Sequence, residues 1–401
     1  MDQPLRGTAP KVAIACGGTG GHLFPGIAVA EALAEQGCDA VLLVSAKEID
    51  QQTTKSLSFE TITLPAVGLQ AGGRLRFVPQ LLKSLRQSRK LFRKDPPAAV
   101  LATGGFTSAP PILAGWSLKK PAYLHESNSI PGRAIRWLAP FATAIFAGFP
   151  SAQKSLRKRN VLLTGTPVRT ELKSIEPAAA RIALGLNPEK PVLLVMGGSQ
   201  GAAAINRLAL EALPALAQKN PELQFIHLTG PKEREKVRDA YAARQRKAAV
   251  LPFLTEMELA LGAATVALSR AGASSLAEFA AVELPSILIP YPSAADNHQF
   301  FNARAFMETG AARQLEQLSA TPEYLATLVT ELIDNAEMRH RMRTALRAWQ
   351  TPDAAEKIAR EILAAIPGFR AEQQNRAAAT LSGRKNCPAH KKEFAPLAPR
   401  L

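Results

Sequence analysis

The chain has 401 residues, 47% of them hydrophobic and 20% charged, with a net charge of +16 and a pI near 10.0. That length exceeds what one hydrophobic core usually serves, so two domains are expected, and the charge calls for an anionic partner: a phosphorylated substrate, an anionic membrane or nucleic acid. Aromatic residues make up only 6%, with no zinc-finger spacing and no aromatic RNA-recognition signature, which argues against nucleic acid.

From the N-terminus, apolar β-rich runs alternate with helix-like segments. "KVAIAC" runs into "GGTGGHLFPG", a helix is expected around Ile27 to Gln36, and "DAVLLVS", "AAVLAT", "PAYLHE" and "TAIFAG" follow. The apolar run before the glycines is too short for the core of a secretory signal. Two segments, Pro96 to Leu118 and Trp137 to Gln153, carry no charge. The first could span a bilayer by length, but its prolines and glycines argue against a continuous membrane helix. A second series begins with "PVLLVMGGSQG" and continues through "QFIHLTG", "AAVLPFL", "ATVALSRAG" and "PSILIPY". This alternation predicts an α/β fold of two similar parallel-sheet halves, 1–168 and 169–350, each opening with a strand that enters a glycine-rich turn. One more helix, 351–366, is expected to pack back on the first half. The basic tail, 367–401, has too little periodic apolar content to fold. Cys16, Cys38 and Cys387 lie far apart without metal-ligand spacing, which argues against a zinc site or disulfide framework and fits a reducing cytoplasm.

In an open parallel sheet, ligands bind outside the carboxyl ends of the strands, where glycines let backbone amides approach an anion and a helix start adds positive potential. "GGTGGH" and "GGSQG" both occupy that place. Neither fits the Rossmann dinucleotide fingerprint, since Leu23 stands where the third glycine belongs, and no Gly-Lys-Ser/Thr of a P-loop occurs. "SRAGASSLAE" ends a strand at a glycine and opens a helix near Ala273 or Ser274. Ser275 and Glu278 have the spacing of a capping box, while Ser274 and Glu278 share a helix face that could hold a phosphate and a ribose diol together. The following loop supplies Asp296, Asn297, His298 and Gln299, groups suited to sugar hydroxyls. No Asp-x-Asp pair occurs, so nothing in the sequence marks a metal bound to a diphosphate. No cofactor is called for.

Together these motifs resemble the GT-B glycosyltransferases, and within them the enzymes that pass N-acetylglucosamine from UDP-N-acetylglucosamine to the lipid-linked muramyl-pentapeptide of cell-wall synthesis. The match rests on "GGTGGHLFPG", "GGFTSAP", "HESN", "GTPVR", "GGSQGA", "AGASSLAE" and "DNHQFFNA", in family order from Lys11 to Ile366. The resemblance implies two Rossmann-like domains facing across a cleft, the first for acceptor and membrane and the second for the UDP-sugar. It implies that Thr19, Gly20, Gly21 and Asn128 lie near donor sugar and acceptor, and that Arg169 and Ser199 contact the phosphate side. Leu254 would hold the uracil, with Phe253 packing nearby. Ala273, Ser274 and Ser275, with Leu276 and Ala277, would bind diphosphate, Glu278 the ribose and Gln299 the sugar. Ser127, Thr166 and His298 depart from the family's usual glutamine, asparagine and glutamine.

With the family's α-linked donor and β-linked product, the resemblance implies inversion by one in-line displacement, which needs a base for the acceptor 4-hydroxyl. His22 is the candidate, Glu126 a second and His125 a weaker third. Between Arg74 and Lys94 the chain carries eight Lys or Arg and no acid. Leu75, Phe77 and Val78, expected ahead of a helix and ringed by Arg74, Arg76, Lys83 and Arg86, read as an apolar tip for an anionic leaflet. Leu82 and Leu85 read as packing on the sheet. Peripheral attachment at the cytoplasmic face of the membrane follows. The competing readings are a UDP-N-acetylglucosamine 2-epimerase of similar fold and a non-catalytic membrane-bound nucleotide sensor.

Overall fold

The computed structural model describes residues 9–55, 57–65, 73–156, 160–173, 176–198, 201–367 and 369. Of the tail 367–401, expected not to fold, Phe369 instead packs on the first core, and the residues beyond it lie outside the described residues. Two parallel sheets form the framework. The first contains β1 (Lys11–Ala15), β2 (Asp39–Val44), β3 (Glu60–Thr63), β4 (Ala99–Ala102), β5 (Ala122–Glu126), β6 (Ala144–Ala147) and β7 (Val161–Leu163) in the order β3-β2-β1-β4-β5-β6-β7. The second contains β8 (Val192–Met196), β9 (Gln224–Leu228), β10 (Ala248–Leu251), β11 (Val266–Ser269), β12 (Ser286–Leu288) and β13 (Arg313–Gln314) in the order β10-β9-β8-β11-β12-β13. Every pairing is parallel. The two Rossmann-like sheets therefore change winding direction between β1 and β4 and between β8 and β11, where such folds open their binding crevices.

The central strands are buried on both faces, which is why they read as unbroken apolar runs. β3 and β13 escaped the sequence reading because they are edge strands. "ETIT" is polar at three of its four positions, and β13 has only two residues. The first helix, Gly20–Glu35, starts earlier than its apolar periodicity suggested, because Gly20, Gly21 and His22 already belong to it. It packs tightly on β1 at Gly26, where an added Cβ would lie 2.4 Å from Cys16 Cβ.

The last helix, Ala354–Ala364, returns to the first lobe. Ile358, Ala359, Ile362 and Leu363 are buried with Val12, Ile14, Leu23 and Leu33, and Phe369 belongs to the same cluster. At the crossover a Cβ on Gly165, whose φ is +82°, would lie 2.1 Å from Thr351 Oγ1. An aromatic seam also joins the lobes. Phe149 stands 5.3 Å from Trp349 and 6.2 Å from Phe306, and Phe306 stacks on Trp349 at 4.4 Å between ring centroids.

The helix Gly73–Lys94 includes Leu75, Phe77 and Val78, which therefore lie within the helix rather than ahead of it, and Pro79 is interior. Val78 and Leu82 are exposed, while Leu85 packs against the sheet. Leu82, exposed one turn before Leu85, thus departs from the expected packing. Among the described residues no helix is long and apolar enough to cross a membrane. Ile362→Ala should cost about 2–5 kcal/mol, as buried large-to-small changes do, and urea unfolding followed by a first-lobe probe should show it.

Candidate active site

The first glycine turn is built by close approach and by one unusual backbone angle. Gly17 lies so near the β2 end that a Cβ there would meet Ser45 N at 2.3 Å, and Gly18 has φ +119°, a region that favours glycine. The Gly18 N–H is turned inward, donating to Asp50 Oδ2 at 2.7 Å. It therefore does not face the crevice, as the glycine-rich spacing had suggested. Thr19 is the exposed N-cap, and its carbonyl accepts from the His22 and Leu23 amides. Gly20 and Gly21 open the helix, where backbone amides have no intrahelical acceptor.

His22 Nδ1 lies 3.0 Å from the Thr103 carbonyl. A carbonyl can only accept, so Nδ1 carries the proton and Nε2 of the neutral ring keeps its lone pair. Thr103 Oγ1 in turn donates to the His22 carbonyl at 2.7 Å. The "GG" of "GGFTSAP" leaves room for the ring, since a Cβ on Gly104 or Gly105 would lie 2.8 or 2.9 Å from imidazole carbons. Burial holds the imidazole below its ordinary pKa, and the bond to Thr103 opposes that shift.

Glu126 ends β5 and is buried, yet its oxygens are engaged. Oε1 accepts from the Asn128 amide at 2.8 Å and from Asn128 Nδ2 at 3.0 Å, and Oε2 accepts from the Gly132 amide at 2.6 Å. Burial raises its pKa against the pull of these donors. The carboxylate thus fastens the loop after β5. His125 is equally committed, through Nε2 to the Gly165 carbonyl at 3.2 Å and Nδ1 to Ser127 Oγ at 3.3 Å.

The second lobe faces this turn. The helix Ala273–Ala281 has Gly272 as its N-cap with no side-chain cap, so Ser275 and Glu278 do not form a capping box. Ser274 Oγ instead donates across the cleft to the Gly21 carbonyl at 2.9 Å. Ser275, Leu276 and Ala277 continue the same first turns, with Leu276 buried. Arg169 donates to the Thr255 carbonyl at 2.8 Å, approaches Glu278 Oε1 at 3.5 Å and lies over the Phe24 ring at 3.7 Å. Burial raises the Glu278 pKa, and the Arg169 charge works against it. Leu254, next to Thr255, packs on the second-lobe core. Gln299 Oε1 accepts from the Tyr291 amide at 2.9 Å. Ser199 lies outside the described residues, as do the side chains of Arg74, Leu75, Arg76 and Phe77.

Several joints were not read from the sequence. Asn302, fully buried, donates to Asn128 Oδ1 at 3.1 Å and accepts from the Ser129 amide at 2.9 Å, bridging the lobes. Arg133 and Arg136 both pair with Asp296 across the cleft. Buried Arg270 donates to the Ile289 and Pro290 carbonyls and to Gln317, fixing the loop that leads to Gln299. Asn302 could have been suspected from its place in "DNHQFFNA", but its partner on the other lobe could not.

Comparison with known proteins agrees with this arrangement. The Glycosyltransferase family 28 N-terminal domain matches residues 12–147 and the family 28 C-terminal domain residues 192–358. The UDP-N-acetylglucosamine–N-acetylmuramyl-(pentapeptide) pyrophosphoryl-undecaprenol N-acetylglucosamine transferase of Syntrophotalea carbinolica is 36% identical over 87% of this chain and 97% of the relative. The chain belongs to this transferase family. The transferase of the same description from Acidithiobacillus ferrooxidans is 36% identical over 88% of this chain and 96% of its own. The crystal structure of Acinetobacter baumannii MurG superposes with a TM-score of 0.67 at 27% identity, covering 88% of this chain and 99% of that one. A UDP-N-acetylglucosamine 2-epimerase superposes at 0.64 with 15% identity, covering 96% of this chain and 100% of that one, a likeness of fold alone.

The buried histidines set an acid limit on the fold. Burial brings His125 down to about 4 and His227 to about 3, so the folded chain keeps both neutral while the unfolded chain protonates them. Their contribution is present above the unfolded value and is lost as pH falls through the folded ones, roughly 3 kcal/mol in all for His125. His125→Gln, which keeps an amide donor but takes no proton, should flatten the stability profile between about pH 6 and 4 in chemical denaturation.

Proposed function

We propose that this chain is an inverting glycosyltransferase. It moves N-acetylglucosamine from UDP-N-acetylglucosamine to the 4-hydroxyl of undecaprenyl-pyrophosphoryl-N-acetylmuramyl-pentapeptide, converting lipid I to lipid II in peptidoglycan synthesis. The observation that carries the reading is the 2.9 Å bond from Ser274 Oγ to the Gly21 carbonyl, which sets the helix start suited to a diphosphate against the turn that bears His22.

In this reading the donor diphosphate takes up the Ala273 helix start and Arg169, Glu278 holds the ribose, Leu254 the uracil and Gln299 the sugar. His22 Nε2 receives the proton of the acceptor hydroxyl as that oxygen attacks the anomeric carbon and UDP departs. The Thr103 carbonyl favours the imidazolium that forms, since Nδ1–H already points at it. Glu126 and Asn128 keep the opposite wall in place. Charge on the leaving diphosphate falls to amides, the helix start and Arg169, and no metal is assigned.

The basic helix Gly73–Lys94 turns toward an anionic leaflet. Exposed Val78, Leu82, Lys83 and Arg86 support this, as does an aromatic group that begins on the helix packed beside it, Ala109–Ser117: Trp116 and, from the following helices, Trp137, each 55% exposed, flank Phe141 at 5.1 and 6.2 Å. Tryptophans of this kind favour the headgroup level of a bilayer. Attachment is peripheral, on the cytoplasmic face.

Incubation with UDP-N-acetylglucosamine and the lipid-linked muramyl-pentapeptide, with and without a chelator, should release UDP and form a β-1,4 linkage in both. Donor alone should give no epimer. His22→Ala should lower turnover by more than about tenfold with UDP affinity unchanged. A smaller loss removes His22 as the base. In flotation with anionic vesicles at low salt, Lys83→Glu with Arg86→Glu should weaken binding by at least about tenfold, and equal binding would remove the membrane assignment.

A further inference from the structure

Beneath the first glycine turn lies a carboxylate that the mechanism above does not use. Asp50 sits on the short helix Glu48–Thr54 and is fully buried. One oxygen, Oδ2, accepts from the Gly18 amide at 2.7 Å, the Ser45 amide at 3.1 Å and Ser45 Oγ at 2.5 Å. Lys47, from the same turn, donates to the Gly18 carbonyl at 2.6 Å and stands 5.2 Å above the Phe106 ring. The Gly18 residue, whose φ of +119° only glycine adopts readily, is thus fastened at its N–H and at its C=O. Thr19, Gly20, Gly21 and His22 follow directly.

We propose that Asp50 is a positioning residue for the transfer reaction: by holding the Gly18 amide inward it sets where the Gly20 and Gly21 amides and the His22 imidazole stand toward the acceptor. The proposal rests on the functional reading given above. Two consequences separate it from a purely structural role. A buried hydrogen bond to a charged acceptor fixes geometry strongly, so its loss should fall on the acceptor step and leave the nucleotide half, built on the other lobe, untouched. Burial, the largest influence, disfavours protonated His22, as do His298 and Lys47, while the Thr103 bond and the Asp50 charge favour it. His125, on β5, is a further titratable neighbour. Removing the Asp50 charge therefore lowers the His22 pKa, and the base stays competent to lower pH.

Asp50→Ala and Asp50→Asn decide the matter in the full chain. Oδ1 makes no hydrogen bond among the described residues, so asparagine can keep its oxygen on Gly18 and Ser45 and place its amide on that side. Asp50→Ala should lower kcat by about ten- to a hundredfold with Kd for UDP within about twofold of wild type. Asp50→Asn should recover most of that loss and move the acid limb of the kcat/KM profile to lower pH. If the alanine variant does not fold, the asparagine variant's acid limb decides alone. Full activity in Asp50→Ala, a parallel loss of UDP affinity, or an unmoved acid limb in Asp50→Asn overturns the proposal. A wild-type chain that transfers no sugar at all would instead remove the functional reading on which it stands.

Discussion

The apolar closure between the two lobes is the constraint on which the rest depends. Each parallel sheet by itself presents only half a crevice, with glycine turns at the ends of β1 and β4 or of β8 and β11. Phe149, Phe306 and Trp349 pack into one seam, and the helix Ala354–Ala364 returns its apolar face to the first core. Burial of this kind has no directional preference, but aromatic rings and a crossing helix occupy fixed volumes, so only one facing of the lobes fills them. That facing brings Ser274 to Gly21, Asn302 to Asn128 and Asp296 to Arg133 and Arg136.

Within the crevice, the buried polar groups sort by what engages them. Glu126 and His125 spend their capacity on the loop after β5 and the corner at Gly165, so the second wall is stiff. Arg169 and Glu278 face one another at 3.5 Å, a distance that leaves both able to meet a polar ligand. Among the described residues, His22 spends one nitrogen on Thr103, and the other has no partner. A polar network that is fully satisfied gives position. This division, rather than the presence of a titratable residue, is why His22 and not Glu126 is proposed as the base.

The fold was largely legible because parallel strands buried on both faces must be apolar throughout, and nearly all of them appear as such runs. β3 and β13 were not, since edge strands share neither requirement. The helix starts were harder. "GGTGGH" reads as a loop on propensity, yet its second pair of glycines already coils, because close packing at Gly17 and Gly26 outweighs glycine's entropic cost. The capping-box spacing of Ser275 and Glu278 was a false signal, for the helix begins two residues before the serine.

The sequence by itself determined what depends on neighbours along the chain: the alternation of strand and helix, the glycine turns at strand ends, the basic amphipathic stretch, and the motifs that carry the family resemblance. Tertiary structure alone decided what depends on groups far apart in number. The imidazole tautomer is set by a carbonyl 81 positions away, the Gly18 amide is held by a carboxylate 32 positions away, and the Asn302–Asn128 bridge spans 174 positions. Hydrogen bonds act over about 3 Å of space, and spacing along a chain constrains that distance only within one helix or turn.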